Sequence, residues 1–295
     1  MDDKDWLILK TICEEKNITK ASERLYISQP ALTYRLKNLE AEFKTKLFHR
    51  STSGVFLTPQ GEYLRKYAEE MLQRLQLVKD HLANMENTIQ GTLRLGVSSI
   101  FAHYQLPTIL KTFVEQFPDI EITVKTGLSY QINKLLHKEE IAVAILRGDY
   151  SWPETKILLR EEPICLATHK KISLDKLPSY PGISYNTDSS LQAMIENWWH
   201  ERYSCPPHIT MEVDKMDTCI QLVHSGLGWA ILPAIGLDNQ PSLFTQELFW
   251  QNGEPLVRRT WLLCRHSALN LLPVKAFVEF ITTRELYAAY TNTPK

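Results

Sequence analysis

The segment Thr19–Phe43 constrains the fold more than any other, because it encodes two short helices joined by a tight turn. Thr19 is a suitable N-cap for a helix Lys20–Leu25, and Ser28 is a suitable N-cap for a second helix. A buried stripe on the second helix is predicted by apolar residues spaced by four, three and four positions: Leu32, Leu36, Leu39 and Phe43. Its opposite face carries side chains able to meet phosphates and base edges: Gln29, Thr33, Tyr34 and Lys37. The pattern predicts a helix-turn-helix whose second helix enters a major groove of DNA.

Charge is distributed unevenly along the 295 residues. The whole chain has a formal net charge of −1, yet residues 16–50 hold eight lysines and arginines against three glutamates. A basic patch on a near-neutral chain indicates a localised anionic partner. The five cysteines are odd in number and scattered, and no apolar run is long enough for a membrane span. We therefore expect a cytoplasmic protein without a membrane partner.

Two further elements follow the helix pair. Leu47–Leu57 has a Ser/Thr/Gly run between apolar ends, which predicts a two-stranded wing. Tip residues of this wing are expected to donate to DNA phosphates: Arg50, Ser51, Thr52 and Ser53. Thr58 as N-cap and Pro59 at the first helical position predict a long helix. Its apolar residues from Met71 to Ile89 follow a heptad pattern, which favours a dimerising coiled coil; a helix lying on its own domain is the alternative.

After Gly91 short strands alternate with helices, and the alternation restarts near Glu161. Such a pattern predicts an α/β fold with parallel sheets, arranged as two lobes with a ligand cleft between them. The predicted domains are a DNA-binding domain at 1–58, a linker helix at 59–90, and an effector-binding domain at 91–295. Within the last domain, lobe I is predicted at about 91–161 and 266–295, and lobe II at about 162–265.

Several motifs resemble those of the LysR-type transcriptional regulators. They are Lys20–Leu25, Ser28–Leu32, Leu39-Glu40, Leu47-Phe48-x-Arg50, Leu57-Thr58-x-x-Gly61, Gly91–Gly96 and Ser225–Pro233. The resemblance implies a winged helix-turn-helix, a dimerising linker helix, and a two-lobed inducer domain like the periplasmic binding proteins. It also implies double-stranded promoter DNA as a partner, and a homodimer that assembles further into a homotetramer.

One position departs from the family's pattern. Where the family often has serine and arginine after the leucine of the second helix, this chain has Thr33 and Tyr34. Tyr34 lacks the bidentate fork that reads guanine, so base readout is assigned to Gln29 and Thr33, with Pro30 or Tyr34 against a thymine methyl group. Phosphates are assigned to Arg35 and Lys37. Simple surface exposure is the alternative for the polar side chains, and partial burial is the alternative for Tyr34.

A ligand site is predicted where strands of lobe I end, because open α/β sheets bind ligands at the carboxyl ends of their strands. Ser98 and Ser99 follow the first strand. Ser129 follows the second strand as an expected helix cap, and Arg147 follows the third. Within the family, positions matching these serines commonly contact the inducer. Hydroxyls, helix N-termini and a guanidinium together form a site for a carboxylate.

A second cation is expected at the start of the last strand. Alternate residues of a strand face opposite ways, so one of Arg258 and Arg259 points into the cleft, and we prefer Arg258. Ile145–Gly148, Asn197–His200 and Thr260–Leu263 look similar to the citrate-responsive catabolite-control regulators of Gram-positive bacteria. That resemblance makes a di- or tricarboxylate such as citrate the leading effector candidate.

Structural roles are the alternatives for these residues. Arg147 can instead pair with Asp149 or Glu139 at the surface, where ion pairs contribute little. The serines can be ordinary helix caps. Of the adjacent Trp198 and Trp199, at most one is expected to be fully buried, and core packing is favoured over ligand stacking.

No catalytic motif or cofactor fingerprint occurs in the sequence. The spacing of the candidate zinc ligands matches no standard arrangement, so no metal site is expected: His200, Cys205, His208 and Cys219. A ligand-responsive DNA-binding regulator is therefore the main hypothesis. The alternatives are a small-molecule binding protein with an N-terminal adaptor domain, and an enzyme that uses the cleft.

Overall fold

The computed structural model describes residues 1–51, 54–84, 89–238 and 240–283. The chain divides into two compact units, Met1–Met85 and Glu86–Lys295. The described residues of the first unit form four helices and a two-stranded sheet: α1 (Asp3–Glu15), α2 (Ile18–Arg24), α3 (Gln29–Glu42), β1 (Phe48–Ser51), β2 (Gly54–Leu57) and α4 (Pro59–Asn84).

The first three helices pack around one apolar core with the wing. The buried members of this core are Ile8, Ile12, Ile18, Ala21, Leu32, Leu36 and Val55. On α3 the expected stripe is confirmed for its three leucines, which are at most 4 % exposed. The expectation is wrong for Phe43, which is 41 % exposed. The reason is local: α3 ends at Glu42, and the chain turns away at Lys44 through a φ of 51°.

The N-cap of α3 agrees with the sequence prediction, and the N-cap of α2 does not. Ser28 caps α3 as expected, since its hydroxyl accepts from the backbone N–H of Ala31 at 3.4 Å. Helix α2 is capped by Asn17 rather than Thr19, and the Asn17 side chain accepts from the Lys20 N–H at 3.1 Å. The helix starts two residues earlier than expected, at Ile18 rather than Lys20, and its first residue Ile18 is buried. Burial of this apolar side chain stabilises the earlier start.

The wing is confirmed as a hairpin, in which β1 and β2 pair antiparallel from Phe48↔Leu57 to Ser51↔Gly54. Thr52 and Ser53 lie outside the described residues, as do the side chains of Arg50 and Ser51. After the wing, Thr58 caps α4, and its hydroxyl accepts from the Gly61 N–H at 2.9 Å. Gly61 is required there, because an added Cβ would lie 2.1 Å from the Leu47 carbonyl oxygen.

Helix α4 has two different parts. In its first turns, Leu64 and Ala68 are buried in a cluster with Leu9 of α1, so this part lies on its own domain. Further along, Val78 and Leu82 of the heptad pattern are 55 % and 57 % exposed in the single chain. Met85, the next position of the pattern, lies outside the described residues.

The second unit contains nine strands and six helices among the described residues. They are β3 (Gly91–Ser98), α5 (Ser99–Tyr104), α6 (Leu106–Gln116), β4 (Ile120–Gly127), α7 (Ser129–His137), β5 (Val143–Arg147), β6 (Thr155–Thr168), β7 (Gly182–Tyr185), α8 (Ser189–Arg202), β8 (Ile209–Val213), α9 (Met216–His224), β9 (Ala230–Pro233), β10 (Phe244–Glu247), β11 (Val257–Cys264) and α10 (Leu272–Thr282). Helix α6 follows the short α5 directly, and α10 is the last helix of the described residues.

The main sheet has the strand order β10-β6-β11-β5-β3-β4, with β9 also pairing with β6. Strand β3 is parallel to β4 and β5, as expected, but β11 is antiparallel to both β5 and β6. The expectation of parallel sheets throughout is therefore wrong. A separate pair, β7 and β8, is parallel and is joined to β9 by a bridge at Gly182↔Trp229. The fold is mixed α/β with two lobes.

Two long strands run from one lobe to the other. The first half of β6 pairs with β11, and its second half pairs with β9 and β10 in lobe II. Strand β11 in turn pairs with β5 of lobe I between Thr260 and Cys264, with an irregular register after Thr260. Strand β6 begins at Thr155 and continues through Pro163 to Thr168.

Lobe II has its own aromatic core, which includes both adjacent tryptophans of α8. Trp198 and Trp199 are 1 % and 3 % exposed, so both side chains pack in this core and Trp198 is the more completely buried of the two. Chain segments cover both sides of the helix end: the Trp198 indole donates to the Phe249 carbonyl, and the Trp199 indole donates to the Cys205 carbonyl. Trp199 also stacks on Trp229, with ring centroids 5.3 Å apart.

Candidate DNA interface and effector cavity

The outer face of α3 presents polar side chains to solvent. Gln29, Pro30 and Lys37 are exposed, Tyr34 is 66 % exposed, and Thr33 is half-buried. With about 100° between successive helix residues, these five positions lie within about 140° of one another, and Gln29, at the edge next to Leu36, is exposed in the first turn of α3. The exposure of Tyr34 removes the alternative of partial burial.

Arg35 does not lie on this face. Its guanidinium is 3.3 Å from a carboxylate oxygen of Asp2 and 3.3 Å from one of Asp5, at the N-terminus of α1. Position 35 is turned by more than a right angle from the exposed face, toward α1. The structure therefore groups five of the six predicted α3 contacts and separates the sixth.

A cavity of about 380 Å³ lies between the two lobes of the second unit. Its lobe I wall includes four of the predicted residues, Ser98, Ser99, Ser129 and Arg147. Three strands place them there, because β3, β4 and β5 are parallel and end at the same edge of the sheet. Arg258 does not line this cavity.

The serines of this wall do not act as side-chain caps. Ser98 precedes α5 without capping it, and Leu128 rather than Ser129 holds the N-cap position of α7. The Ser129 hydroxyl instead accepts from the backbone N–H of Arg147 at 3.0 Å. The Ser98 hydroxyl is buried and has no hydrogen-bond partner among the described residues. The helix-cap alternative is therefore wrong for these side chains.

Arg147 is buried rather than at the surface, with 4 % exposure, and pairs with Glu162. Glu162 also accepts from the backbone N–H of Ile235 at 2.8 Å and lies 3.4 Å from Arg160. The alternative pairing of Arg147 with Asp149 or Glu139 is therefore wrong. A guanidinium has five N–H donors, and the Arg147 Nε–H is buried with no partner among the described residues.

Arg258 and Arg259 face opposite sides of β11. Arg258 is 1 % exposed, and its guanidinium pairs with Asp188 while also donating to Ser190 Oγ at 2.8 Å and to the Arg147 carbonyl at 2.9 Å. Gly148 permits this approach, because an added Cβ would lie 3.2 Å from the Arg258 guanidinium and 2.8 Å from Ser190 Oγ. Arg259 points outward, with its Nε 2.6 Å from Glu161.

Lobe II contributes the opposite wall, which sequence reasoning missed. This wall includes Tyr185, Asp188, Asp214 and Asp217. Asp217 accepts a hydrogen bond from the Tyr104 hydroxyl of lobe I, which joins the lobes beside the cavity. The signal was present in the sequence: the rule that ligands bind at strand ends, applied to β7 as well as to lobe I, leads to Tyr185.

A second cavity, of about 450 Å³, lies within lobe II and has mainly apolar walls, including Ile183, Trp199 and Trp229. It shares Tyr185 with the interlobe cavity and contains none of the predicted effector residues. Across the described part of the chain, no group of three or more potential metal ligands is found. In the same part, no helix is both long and apolar enough to cross a membrane.

Comparison with known proteins agrees with both units. Residues 4–62 match the family model "Bacterial regulatory helix-turn-helix protein, lysR family", and residues 86–285 match "LysR substrate binding domain". The HTH-type transcriptional regulator YraN of Bacillus subtilis (strain 168) is 43 % identical over 286 residues, covering 97 % of this chain and 99 % of YraN. YkuM of the same strain, also named an HTH-type transcriptional regulator, is 35 % identical over 276 residues, covering 93 % and 94 %.

Among solved structures, full-length CbnR in complex with its target DNA has a TM-score of 0.69 at 19 % identity, covering 95 % of this chain and 99 % of that one. At this identity the likeness concerns the fold. Together these findings define a DNA-binding transcriptional regulator with an effector-binding domain, and its relatives are named as regulators rather than enzymes. The chain belongs to the LysR family of transcriptional regulators.

Proposed function

We propose that this regulator binds promoter DNA through α3 and the wing, and that a small carboxylate in the interlobe cavity controls its action. The exposed face of α3 supports the first part, because Gln29, Thr33 and Lys37 are available to an external partner. The proposed domains are 1–58, 59–90 and 91–295. The pairing of β11 with β5 favours ending lobe II near residue 257 rather than 265. Action on promoter DNA implies a cytoplasmic location.

The lobe I wall carries the proposal of a carboxylate effector. Ser98, Ser99, Ser129 and Arg147 line one cavity, and both the Ser98 hydroxyl and the Arg147 Nε–H are buried without a partner among the described residues. Buried donors of this kind are costly unless an acceptor meets them, and a carboxylate offers two acceptor oxygens. Arg258 acts in this proposal through Asp188 and the Arg147 carbonyl, rather than by touching the effector.

Citrate is the first effector to test, since the sequence resemblance indicates a di- or tricarboxylate. Isothermal calorimetry on the full chain should give saturable heat with citrate, and the affinity should fall when Ser98 is replaced by alanine. Ser225→Ala is a suitable control, because Ser225 lies outside the cavity and bonds only within its own helix end, to the Gln221 carbonyl. Absence of heat with citrate and with related di- and tricarboxylates would contradict this effector class.

The DNA assignment is tested with the promoter region of the gene itself. Binding should weaken steeply as salt rises, because phosphate contacts release counterions. Gln29→Ala should cost about 1–3 kcal/mol of discrimination at one base pair, since it removes a side chain that is able to pair with a base edge. Mobility shift against single-base operator variants measures this. A uniform loss across all variants would mean that Gln29 does not read a base.

Association into a homodimer, and then a homotetramer, is part of the same proposal. Val78 and Leu82 occupy heptad positions of α4 and are more than half exposed in the single chain. Burying such residues against a second copy would stabilise a coiled coil. Sedimentation analysis of Leu82→Asp should show a smaller assembly than the wild type, whereas Lys66→Asp, at an exposed position on the side of α4 away from the heptad seam, should leave the assembly unchanged.

A further inference from the structure

The interlobe cavity contains a hydrogen-bonding group that an effector held by lobe I alone leaves unused. Tyr185 ends β7 and lines the cavity from lobe II, with its side chain packed against the main apolar core. Its hydroxyl oxygen is buried and has no hydrogen-bond partner among the described residues. Buried tyrosine hydroxyls usually find a partner, and an unmade hydrogen bond is costly. Such an exception in a native fold calls for an explanation.

The charged groups that act on the Tyr185 hydroxyl lie at the junction of the two lobes. Tyr185 borders the lobe II cavity as well, but Arg147, whose charge acts on the hydroxyl, lines the interlobe cavity and not the lobe II cavity. Burial raises the pKa of Tyr185, and the positive charges of Arg147 and Arg258 act on it in the opposite direction. Both arginines lie at the junction of the lobes, where Arg258 donates to the Arg147 carbonyl. At neutral pH the phenol therefore keeps its proton and is a donor beside these groups.

Ser98 and Tyr185 are thus two buried hydroxyls without partners, on opposite walls of one cavity. We propose that Tyr185 is an effector-binding residue, which donates a hydrogen bond from lobe II to an oxygen of the carboxylate held by Ser98 and Arg147 of lobe I. This inference rests on the proposed effector site and adds its second half. A ligand held by both lobes binds best to the lobe arrangement in which both sets of donors reach it, and this preference allows it to act as a switch.

The first measurement needs no ligand. Tyr185→Phe keeps the packed ring and removes a hydroxyl that bonds to nothing within the protein, so thermal unfolding should occur at or above the wild-type midpoint. Tyr203→Phe is the matched control, because the Tyr203 hydroxyl donates to the Leu174 carbonyl at 2.7 Å, and its removal should lower the midpoint. A midpoint for Tyr185→Phe that falls as far as that of Tyr203→Phe would assign a structural role to the hydroxyl and overturn the proposal.

The second measurement is calorimetry of the full chain with citrate. Tyr185→Phe should bind citrate roughly tenfold to a hundredfold more weakly, the loss expected for one hydrogen bond to a charged group, and Tyr203→Phe should bind as the wild type does. Unchanged citrate affinity in Tyr185→Phe would overturn the proposal while leaving the lobe I site intact. A wild type that gives no heat with citrate or related di- and tricarboxylates would instead contradict the proposed effector class, and the unfolding comparison would still decide whether the Tyr185 hydroxyl has a structural role.

Discussion

The exposed face of α3 and the lobe I wall of the cavity use similar side chains in opposite ways. On α3, Gln29 and Lys37 are exposed to solvent. In the cavity, Arg147 and Ser98 are each 4 % exposed, and Arg147 is paired with Glu162. The side chains on α3 are therefore free of contacts that the fold needs, whereas Arg147 in the cavity wall belongs to a buried ion pair on which the fold depends.

This difference teaches how each site responds to substitution. A solvated side chain is removed at little cost to stability, so its loss is read in binding alone. A buried charge that loses its partner destabilises the fold strongly, because desolvation is no longer compensated. The pair between Arg258 and Asp188, next to the cavity, is buried, so breaking it should destabilise the fold strongly. The pair between Arg259 and Asp149 is exposed, so breaking it should cost little.

The largest effect is expected from Asp188→Asn, which leaves Arg258 buried without a carboxylate. Asparagine keeps the shape and the N-cap, so the variant isolates the effect of the charge. Its free energy of unfolding should be about 3–5 kcal/mol lower than that of the wild type. Asp149→Asn is the control: its carboxylate is 63 % exposed and 3.8 Å from Arg259, and the loss should stay below about 1 kcal/mol. Urea unfolding followed by tryptophan fluorescence measures both, since six of the seven tryptophans lie in the second unit. Equal losses would erase the contrast between buried and exposed pairs.

A smaller effect is expected from pH. Burial opposes ionisation of Asp188, but Arg258 and the hydrogen bonds from Ser190 and Leu191 hold its pKa below the ordinary 3.8. Because the folded pKa is the lower one, the contribution to stability is complete above the unfolded value and is lost as pH falls through the folded one. Between pH 7 and pH 3, the stability gap between the wild type and Asp188→Asn should therefore narrow below about pH 4. A gap that stays constant to pH 3 would contradict the depressed pKa.

The smallest effects on stability, and the clearest on binding, are expected on α3. Lys37→Ala should weaken DNA binding for all sequences and reduce the slope of log affinity against log salt by about 1, because one phosphate contact is lost. Arg35→Ala should leave that slope unchanged, since Arg35 pairs with Asp2 and Asp5 instead. Arg35→Ala should lower the free energy of unfolding by less than about 1 kcal/mol, because the ion pairs of Arg35 are partly exposed. If Lys37→Ala and Arg35→Ala reduced the slope of log affinity against log salt equally, Arg35 would have to contact a DNA phosphate as well.

Local patterns predicted most helices and strands because their causes are local. The leucine spacing of α3, the Thr58-Pro59 start of α4 and the apolar run of β5 each depend on neighbours within a few residues. Pairing direction does not have a local cause. Strand β10 was missed and β11 was expected in a parallel sheet, since both depend on contacts with β6, about 80 to 100 residues away.

By itself, the sequence determined the helix-turn-helix, the wing, the long helix and the alternating α/β elements, together with the four lobe I residues that meet in one cavity. Tertiary structure alone decided that Arg35 turns toward α1, that Arg258 is taken by Asp188, and that Tyr185 completes the cavity from lobe II. The physical reason is the range of the interactions. Periodicity and capping act within one element, whereas charge pairing and burial depend on which distant side chains the fold brings within hydrogen-bond distance.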